Sequence, residues 1–366
     1  MRPVTLLLCC LLLAITLAGA GEPPAPASAP EPPLIEGVDL VLNMDFPAAY
    51  QHFEEVLRRW PDRPDGYLGK GLAVLTEHRG RRRLRANRDA IVQQLQQAAE
   101  RAEQRFDARR EIRDLFLQGM ARGFESQVEM AAGNHWSAFL AIREARSLLR
   151  RALSQDPGFV DPYLGLGFYD YLVSELPGLQ RFVVSLLLDK GDKRRGLEEI
   201  RLAASRGRYV REYARAALMS IYAYGERQFG LALPLALALK ERYPGNPDFY
   251  YAVATIYSEL DRWDEALAIA QEIRERMERP TNGFRQEPPA RYHHLLGKIY
   301  LDRRDPAQAL THLGRSLNSD MGDFPWIRGW ALTRTGMAHD LLGQREEALR
   351  AYREATRVRE GAGRRY

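Results

Sequence analysis

Beyond residue 10 the chain has no cysteine; its two, Cys9 and Cys10, stand side by side inside an N-terminal apolar run. A mature chain without that run would hold no disulfide, thiolate nucleophile or cysteine metal ligand, and would face no mispairing in an oxidising compartment. Histidine is sparse too. The seven are His52, His78, His135, His293, His294, His312 and His339. None forms a His-x-x-x-His pair, and the adjacent His293 and His294 point about 100° apart on a helix, so no metal site is expected. No serine sits in a Gly-x-Ser-x-Gly turn. No apolar run reaches the roughly 20 residues of a membrane-spanning helix, and no stretch alternates as a half-buried strand does. These absences remove the common routes to catalysis: no catalytic residue, metal or cofactor is expected.

What the chain does hold is charge, nearly balanced: 53 Lys and Arg against 48 Asp and Glu, a formal net charge of +5. That excess permits contact with acidic surfaces without requiring it. At the N-terminus Arg2, the apolar run 6–17 and Ala18-Gly19-Ala20 have the order of a secretory signal over residues 1–20. Neither cysteine follows the small residues that end the run, which argues against lipoprotein processing. The expected location is therefore outside the cytoplasm, in a periplasm or at the cell envelope, and export lowers nucleic acid as a partner. Residues 21–33, GEPPAPASAPEPP, are a Pro/Ala-rich linker with nothing to bury.

From residue 34 to 360 the apolar positions recur at three and four residues; residues 361–366 are a short tail. The clearest unit is YYAVATIYSELDRWDEALAIA, residues 250–270, in which Ala254 and Ala266 would let two antiparallel helices approach closely around an Asp261-Arg262 turn. The same offsets recur. Ala49, Phe53, Val56 and Pro61 lead to Tyr67 and Gly71; Ala145, Leu149, Ala152 and Pro157 lead to Tyr163 and Gly167; Ala232, Ala236, Leu239 and Pro244 lead to Tyr250 and Ala254. Leu296, Gly297, Tyr300 and Ala309 make a further copy, and Gly336, Ala348, Tyr352 and Ala355 the last. His339 takes the offset of the packing residues Tyr257 and Tyr300.

This pattern of small, aromatic, small and proline residues resembles the tetratricopeptide repeat, whose period is 34 residues. The resemblance implies an all-α superhelical solenoid of about eight antiparallel helix pairs, each burying an apolar face on its neighbours. Spacing lengthens between Ala254, Gly297 and Gly336, so the last connections must carry extra residues. Two regions, 79–135 and 172–196, depart from the standard length. The second, with LGFYDYLVSELPG followed by GDKRRGLEEIRLAASRG, and the opening IEGVDLVLNMDFPAAYQHFEEVL resemble the tetratricopeptide repeat protein 39 family, which includes a fungal protein for clearing inclusion bodies. That narrower likeness implies an adaptor associated with lipid droplets, membranes or regulatory partners, and carries over no catalytic residue.

Several features admit a structural reading. Gly165-Leu166-Gly167 follows no strand, and Gly167 matches the repeat glycine Gly71, so it reads as close helix packing and not a phosphate loop. The neighbouring carboxylates Glu198-Glu199 and Glu346-Glu347 diverge on a helix and read as solvated faces. The apolar run 182–188 reads as core. The strongest charge feature is the basic patch Arg79, Arg81, Arg82, Arg83, Arg85 and Arg88, a solvated helix start or, functionally, a grip on an anionic envelope or membrane surface.

In a helical solenoid the first helices of successive pairs line the concave face. Projection of the register places Tyr224, Tyr251, Thr255, Arg291, His294, Lys298, Trp330 and Arg334 there. Aromatic area with Arg and Lys suits an extended acidic peptide or a protein C-terminus. The expectation is a non-enzymatic exported scaffold or adaptor that binds protein or peptide partners in that groove. A peripheral membrane or lipid-associated protein using 79–88 and 182–188 is the alternative.

Overall fold

The computed structural model describes residues 34–358 apart from residue 79 and residues 179–189, and of Arg81 and Arg82 the backbone only. The expected signal, linker, apolar run 182–188 and tail lie outside the described residues. Seventeen α-helices and no strand occur among the described residues. The chain is an all-α helical-repeat protein of the solenoid class. Its backbone contacts gather into two compact units that divide between Leu218 and Met219.

The first unit opens with α1 (Leu34–Leu42), α2 (Phe46–Arg59) and α3 (Pro64–Glu77). Helix α2 starts where Asp45 accepts a hydrogen bond from the Ala48 amide at 3.4 Å and a proline occupies the first turn, both standard start devices. Its repeat positions Ala49, Phe53 and Val56 are buried. The short α4 (Arg81–Ala86) leads to three long helices, α5 (Arg88–Arg109), α6 (Ile112–Ala132) and α7 (His135–Gln155), the first two of which occupy the region 79–135 where the sequence departs from standard repeat length. Buried ion pairs tie them down. Arg113 of α6 donates to the fully buried Asp65 of α3 at 3.3 Å and to the Tyr209 hydroxyl at 3.0 Å. Arg105 reaches Asp114 at 3.3 Å and Glu111 at 3.2 Å. Burial pushes the Asp114 carboxyl up to about 6 against the pull of Arg105.

Helices α8 (Tyr163–Ser174), α9 (Lys193–Arg206) and most of α10 (Arg211–Ser220) complete the unit. Buried Asp161 accepts the amides of Arg208 (3.1 Å), Tyr209 and Val210 (3.0 Å) just before α10, which leaves few orphan donors at that helix start. Helices α8 and α9 touch backbone to backbone. A Cβ on Gly167 would stand 2.7 Å from the Gly196 carbonyl oxygen, and one on Gly196 would stand 2.6 Å from that of Gly167. Close packing is thus what Gly167 provides.

The second unit holds a π-helical turn (Ile221–Gly225), α11 (Phe229–Arg242), α12 (Pro247–Glu259), α13 (Trp263–Glu278), a 3-10 turn (Asn282–Gln286), α14 (Pro289–Asp302), α15 (Pro306–Leu317), α16 (Trp326–Leu341) and α17 (Arg345–Arg357). One turn recurs in its hairpins. Asp261, Arg304 and Gly343 all take positive φ, at 57°, 65° and 72°. The next amide then bonds back to Tyr257 (2.9 Å), Tyr300 (2.8 Å) or His339 (2.9 Å). This 6→1 closure caps the first helix of each pair. Met44, at φ 54°, repeats it in the first unit, with Asp45 bonded to the Leu40 carbonyl at 2.9 Å.

Ala254 and Ala266 are both fully buried in the α12–α13 hairpin, and a Cβ on Gly297 would meet the Leu313 side chain at 2.7 Å. The extra residues of the last connections are placed as well. The 3-10 turn between α13 and α14 buries Phe284 edge-on against Tyr250 at 5.5 Å, and Gly283 bonds to the Gly245 carbonyl at 3.1 Å.

Candidate functional site

Seven of the eight expected groove residues lie on the first helices of three successive pairs: Tyr251 and Thr255 on α12, Arg291, His294 and Lys298 on α14, Trp330 and Arg334 on α16. Thr255, on α12, and Tyr224, in the π-helical turn, are half-buried. Of the seven, all but Thr255 take part in contacts that link the helices. Arg291 bridges Asp248 of α12 at 2.7 Å and Glu287 at 2.9 Å, and its guanidinium lies 3.9 Å from the Tyr251 ring centroid and 4.6 Å from that of Phe324. Lys298 reaches Glu259 of α12 at 2.9 Å and Asp302 at 2.5 Å. Arg334 of α16 stands 2.7 Å from Nε2 of His294 and 5.0 Å from the Trp330 centroid.

The electrostatics follow from burial. His294 is buried, and desolvation together with the cations Arg334, Lys298 and Arg291 holds its pKa well below the usual value. Its ring is neutral. Because guanidinium has only donors, Nε2 accepts from Arg334 and the ring proton sits on Nδ1. Burial would lower the Arg291 pKa, yet Glu287 and Asp248 more than offset it and the net shift is upward. Glu259 is pushed up by burial but lies below its ordinary value because of Lys298. Burial, then the Glu287 charge, raises the Tyr251 phenol well above its ordinary pKa.

Four cations here, Arg227, Arg291, Lys298 and Arg334, meet four carboxylates, Asp248, Glu259, Glu287 and Asp302. Arg291 and Lys298, projected into a groove, therefore already have carboxylate partners within the chain, while Arg334 meets His294 and acts on Glu259 through its charge. Projection along one helix could not show this, because Asp248 and Glu259 come from the neighbouring helix and Glu287 from the preceding connection. Trp330 and Arg334 are half-buried at the edge of this network, and Trp326 lies edge-on to His294 at 5.8 Å.

Of the basic patch, Arg81, Arg82, Arg83 and Arg85 lie on α4 and Arg88 opens α5 in the first unit, while Arg79 lies outside the described residues. Arg83 and Arg85 are exposed, Arg85 donates to the Ala131 carbonyl at 3.2 Å, and Arg88 donates to Glu129 at 3.0 Å. The Arg85 bond sets the patch against the α6–α7 turn. There Trp136 is 69% exposed and stacked on Phe139 at 5.4 Å, with Met130 and Leu140 also exposed. Sequence reading did not single out these apolar residues.

It also missed a charged cavity of about 210 Å³ between α7, α8 and α9. Arg146, Arg150, Arg195, Asp170 and Glu199 line it. Glu199, expected on a solvated face, is half-buried, and burial followed by the neighbouring Asp170 charge pushes its carboxyl up to about 7. The detectable signal was the loss of repeat character around Asp170 and Gly196.

No family model matches the chain, and no curated protein matches it. Similar solved structures include yeast Tom70, at 10% identity over 90% of this chain and 85% of that one, with a TM-score of 0.41. A tetratricopeptide repeat protein from Parabacteroides merdae ATCC 43184 is 14% identical over 83% of this chain and 96% of its own, with a TM-score of 0.35. Nothing found supports the narrower likeness to the protein 39 family.

Proposed function

We propose that the chain is a non-enzymatic scaffold, exported to the periplasm or cell envelope, that binds a protein or peptide partner across the first-helix face of α12, α14 and α16. The half-buried Trp330 and Arg334 of α16 carry this reading, held beside Tyr251, His294 and Lys298, which are buried, and Arg291, which is nearly so, since a rigid aromatic gives contact area at low entropy cost. Arg291 and Lys298 shape the face from beneath, and Trp330 with Arg334 meets the partner. Internal neutralisation means that an acidic peptide would have to compete with Glu259 and Glu287, so aromatic contact contributes more than net charge. The test is capture of an envelope partner by the purified chain, its identification, and titration of that partner against the parent and Trp330→Glu. Equal affinity for both would overturn the assignment of this face.

A second reading rests on Trp136. An exposed tryptophan with Met130 and Leu140, next to Arg83 and Arg85, has the composition of an interfacial membrane contact. Flotation with anionic vesicles, comparing the parent with Trp136→Ala, checks it, and absence of the parent from the vesicle fraction would remove it.

A further inference from the structure

Two of the histidines meet in the folded chain although they form no motif in the sequence. His293 lies on α14 and His312 on α15, 19 positions later, and their Nδ1 atoms are 3.2 Å apart. The neighbours His293 and His294 leave α14 in different directions: His294 turns inward to Arg334, and His293 turns across the hairpin. The approach is set by the backbone. At Gly297, one turn after His293, a Cβ would stand 2.7 Å from the side chain of Leu313, which adjoins His312, and the Ser316 hydroxyl donates to the Ala290 carbonyl at 2.8 Å. Two tyrosines pack on the rings. His312 stacks on Tyr300 at 5.4 Å with the planes 6° apart, and the Tyr292 ring lies 5.3 Å from that of His293.

Neutral imidazole is the form that ligates a metal, and both rings are neutral at pH 7. Burial, then Arg315, lowers the His293 pKa; burial, then His293 and Arg315, brings that of His312 to about 4. In the pair one Nδ1–H donates to the other Nδ1, and with the ring centroids 5.5 Å apart the two nitrogens meet nearly head on. Two nitrogens bound at the tetrahedral angle to one ion, each about 2.0–2.1 Å away, are themselves about 3.3 Å apart. The observed separation is therefore already that of a chelate. Aiming both lone pairs at one ion takes a turn of the rings about χ2, a torsion with a broad minimum. The shared proton passes through water to Nε2 of its own ring, which frees both Nδ1 atoms. Both side chains are half-buried, so water completes the coordination. Among the described residues no group of three His, Cys, Asp or Glu converges, and the site has two protein ligands.

We propose that His293 and His312 chelate a divalent transition-metal ion of the nitrogen-preferring class, Cu²⁺, Ni²⁺ or Zn²⁺, on the α14–α15 hairpin. Imidazole selects these ions over the oxygen-preferring Mg²⁺ and Ca²⁺. Arg315, one turn beyond His312, is a charge that acts on both rings; it opposes the ion and limits its affinity. The site does not rest on the proposed partner face and stands or falls without it.

The test uses the full chain without an affinity tag. Calorimetric titration at pH 7 should show Ni²⁺ and Zn²⁺ binding, Cu²⁺ binding more tightly, and no binding of Mg²⁺. His293→Gln and His312→Gln should each weaken Ni²⁺ about tenfold or more, because the second nitrogen of a chelate binds intramolecularly. His135→Gln, at an exposed position, should leave Ni²⁺ affinity unchanged, and Arg315→Gln should tighten it. Pulsed electron paramagnetic resonance of the parent loaded with less than one equivalent of Cu²⁺ counts the coordinated imidazoles and decides if a variant fails to fold; two are expected. A single imidazole, Ni²⁺ affinity that both histidine variants retain, or no Ni²⁺ binding at millimolar concentration would each overturn the assignment.

Discussion

Arg291 of α14 lies 3.9 Å from the centroid of the Tyr251 ring of α12, clamped in place by Asp248 and Glu287. The guanidinium is at once a cation over an aromatic face and the bridge between two carboxylates, one of them almost wholly buried. Its plane and fixed charge suit it to that position, and a lysine point charge would not replace it.

Replacing Arg291 by Met should therefore destabilise the chain before it affects any partner. The variant leaves Glu287 and Asp248 without their cation, and removing one member of a buried pair costs about 3–5 kcal/mol. Urea unfolding of the second unit, followed by circular dichroism, checks this. An unchanged midpoint would mean that the pair is solvated.

The α12–α13 hairpin has no room to spare. Ala254→Phe or Ala266→Phe adds a ring where both residues are fully buried, and overpacking of that kind costs about 1–3 kcal/mol. Thermal melts should show both variants below the parent. Gly167→Ala should cost a similar amount, because its new Cβ meets the backbone oxygen of Gly196 and not a movable side chain.

Acid should weaken the α14–α15 hairpin. Nδ1 of His293 and Nδ1 of His312 are 3.2 Å apart, and the His312 ring stacks on Tyr300 at 5.4 Å. Burial, then the nearby His293 and Arg315, lowers the His312 pKa from its usual 6.5 to about 4. A depressed histidine binds fewer protons folded than unfolded. Its contribution is complete above pH 6.5 and is lost progressively toward pH 4. Unfolding free energies measured from pH 7 to 4 should fall less steeply in His312→Gln than in the parent.

Glu199 should act in the same window with the opposite sign. Its folded pKa, pushed up to about 7, exceeds the ordinary glutamate value of 4.5, so the folded chain holds an extra proton between those pH values and loses stability as pH rises from 4.5 to 7. Glu199→Gln should flatten that part of the profile. The combination of the two variants separates the two slopes, since the residues lie in different compact units and their effects should add.

The repeats were legible because they depend on local spacing. Ala49, Phe53 and Val56, or Ala254 and Ala266, announce a buried helix face by their periodicity alone, and the longer interval from Ala254 to Gly297 announced the connection that buries Phe284. The turn at Asp261 recurs at Arg304 and Gly343, the second helix of each pair following at once.

Projection along a helix also brought Tyr251, Arg291, His294, Lys298, Trp330 and Arg334 to the first helices of neighbouring pairs. What it could not supply was the partner of each charge. Asp248 and Glu287 converge on Arg291, and Glu259 reaches Lys298, only after α12 and α14 have packed. Likewise Glu199 looks solvated beside Glu198 until Gly167 and Gly196 press α8 onto α9 and place it near Asp170 and Arg146. Helical periodicity is a property of neighbours in sequence and so determined the architecture. The pairing and ionisation of buried charges depend on which distant segments share a low-dielectric space, and only the tertiary structure decided that.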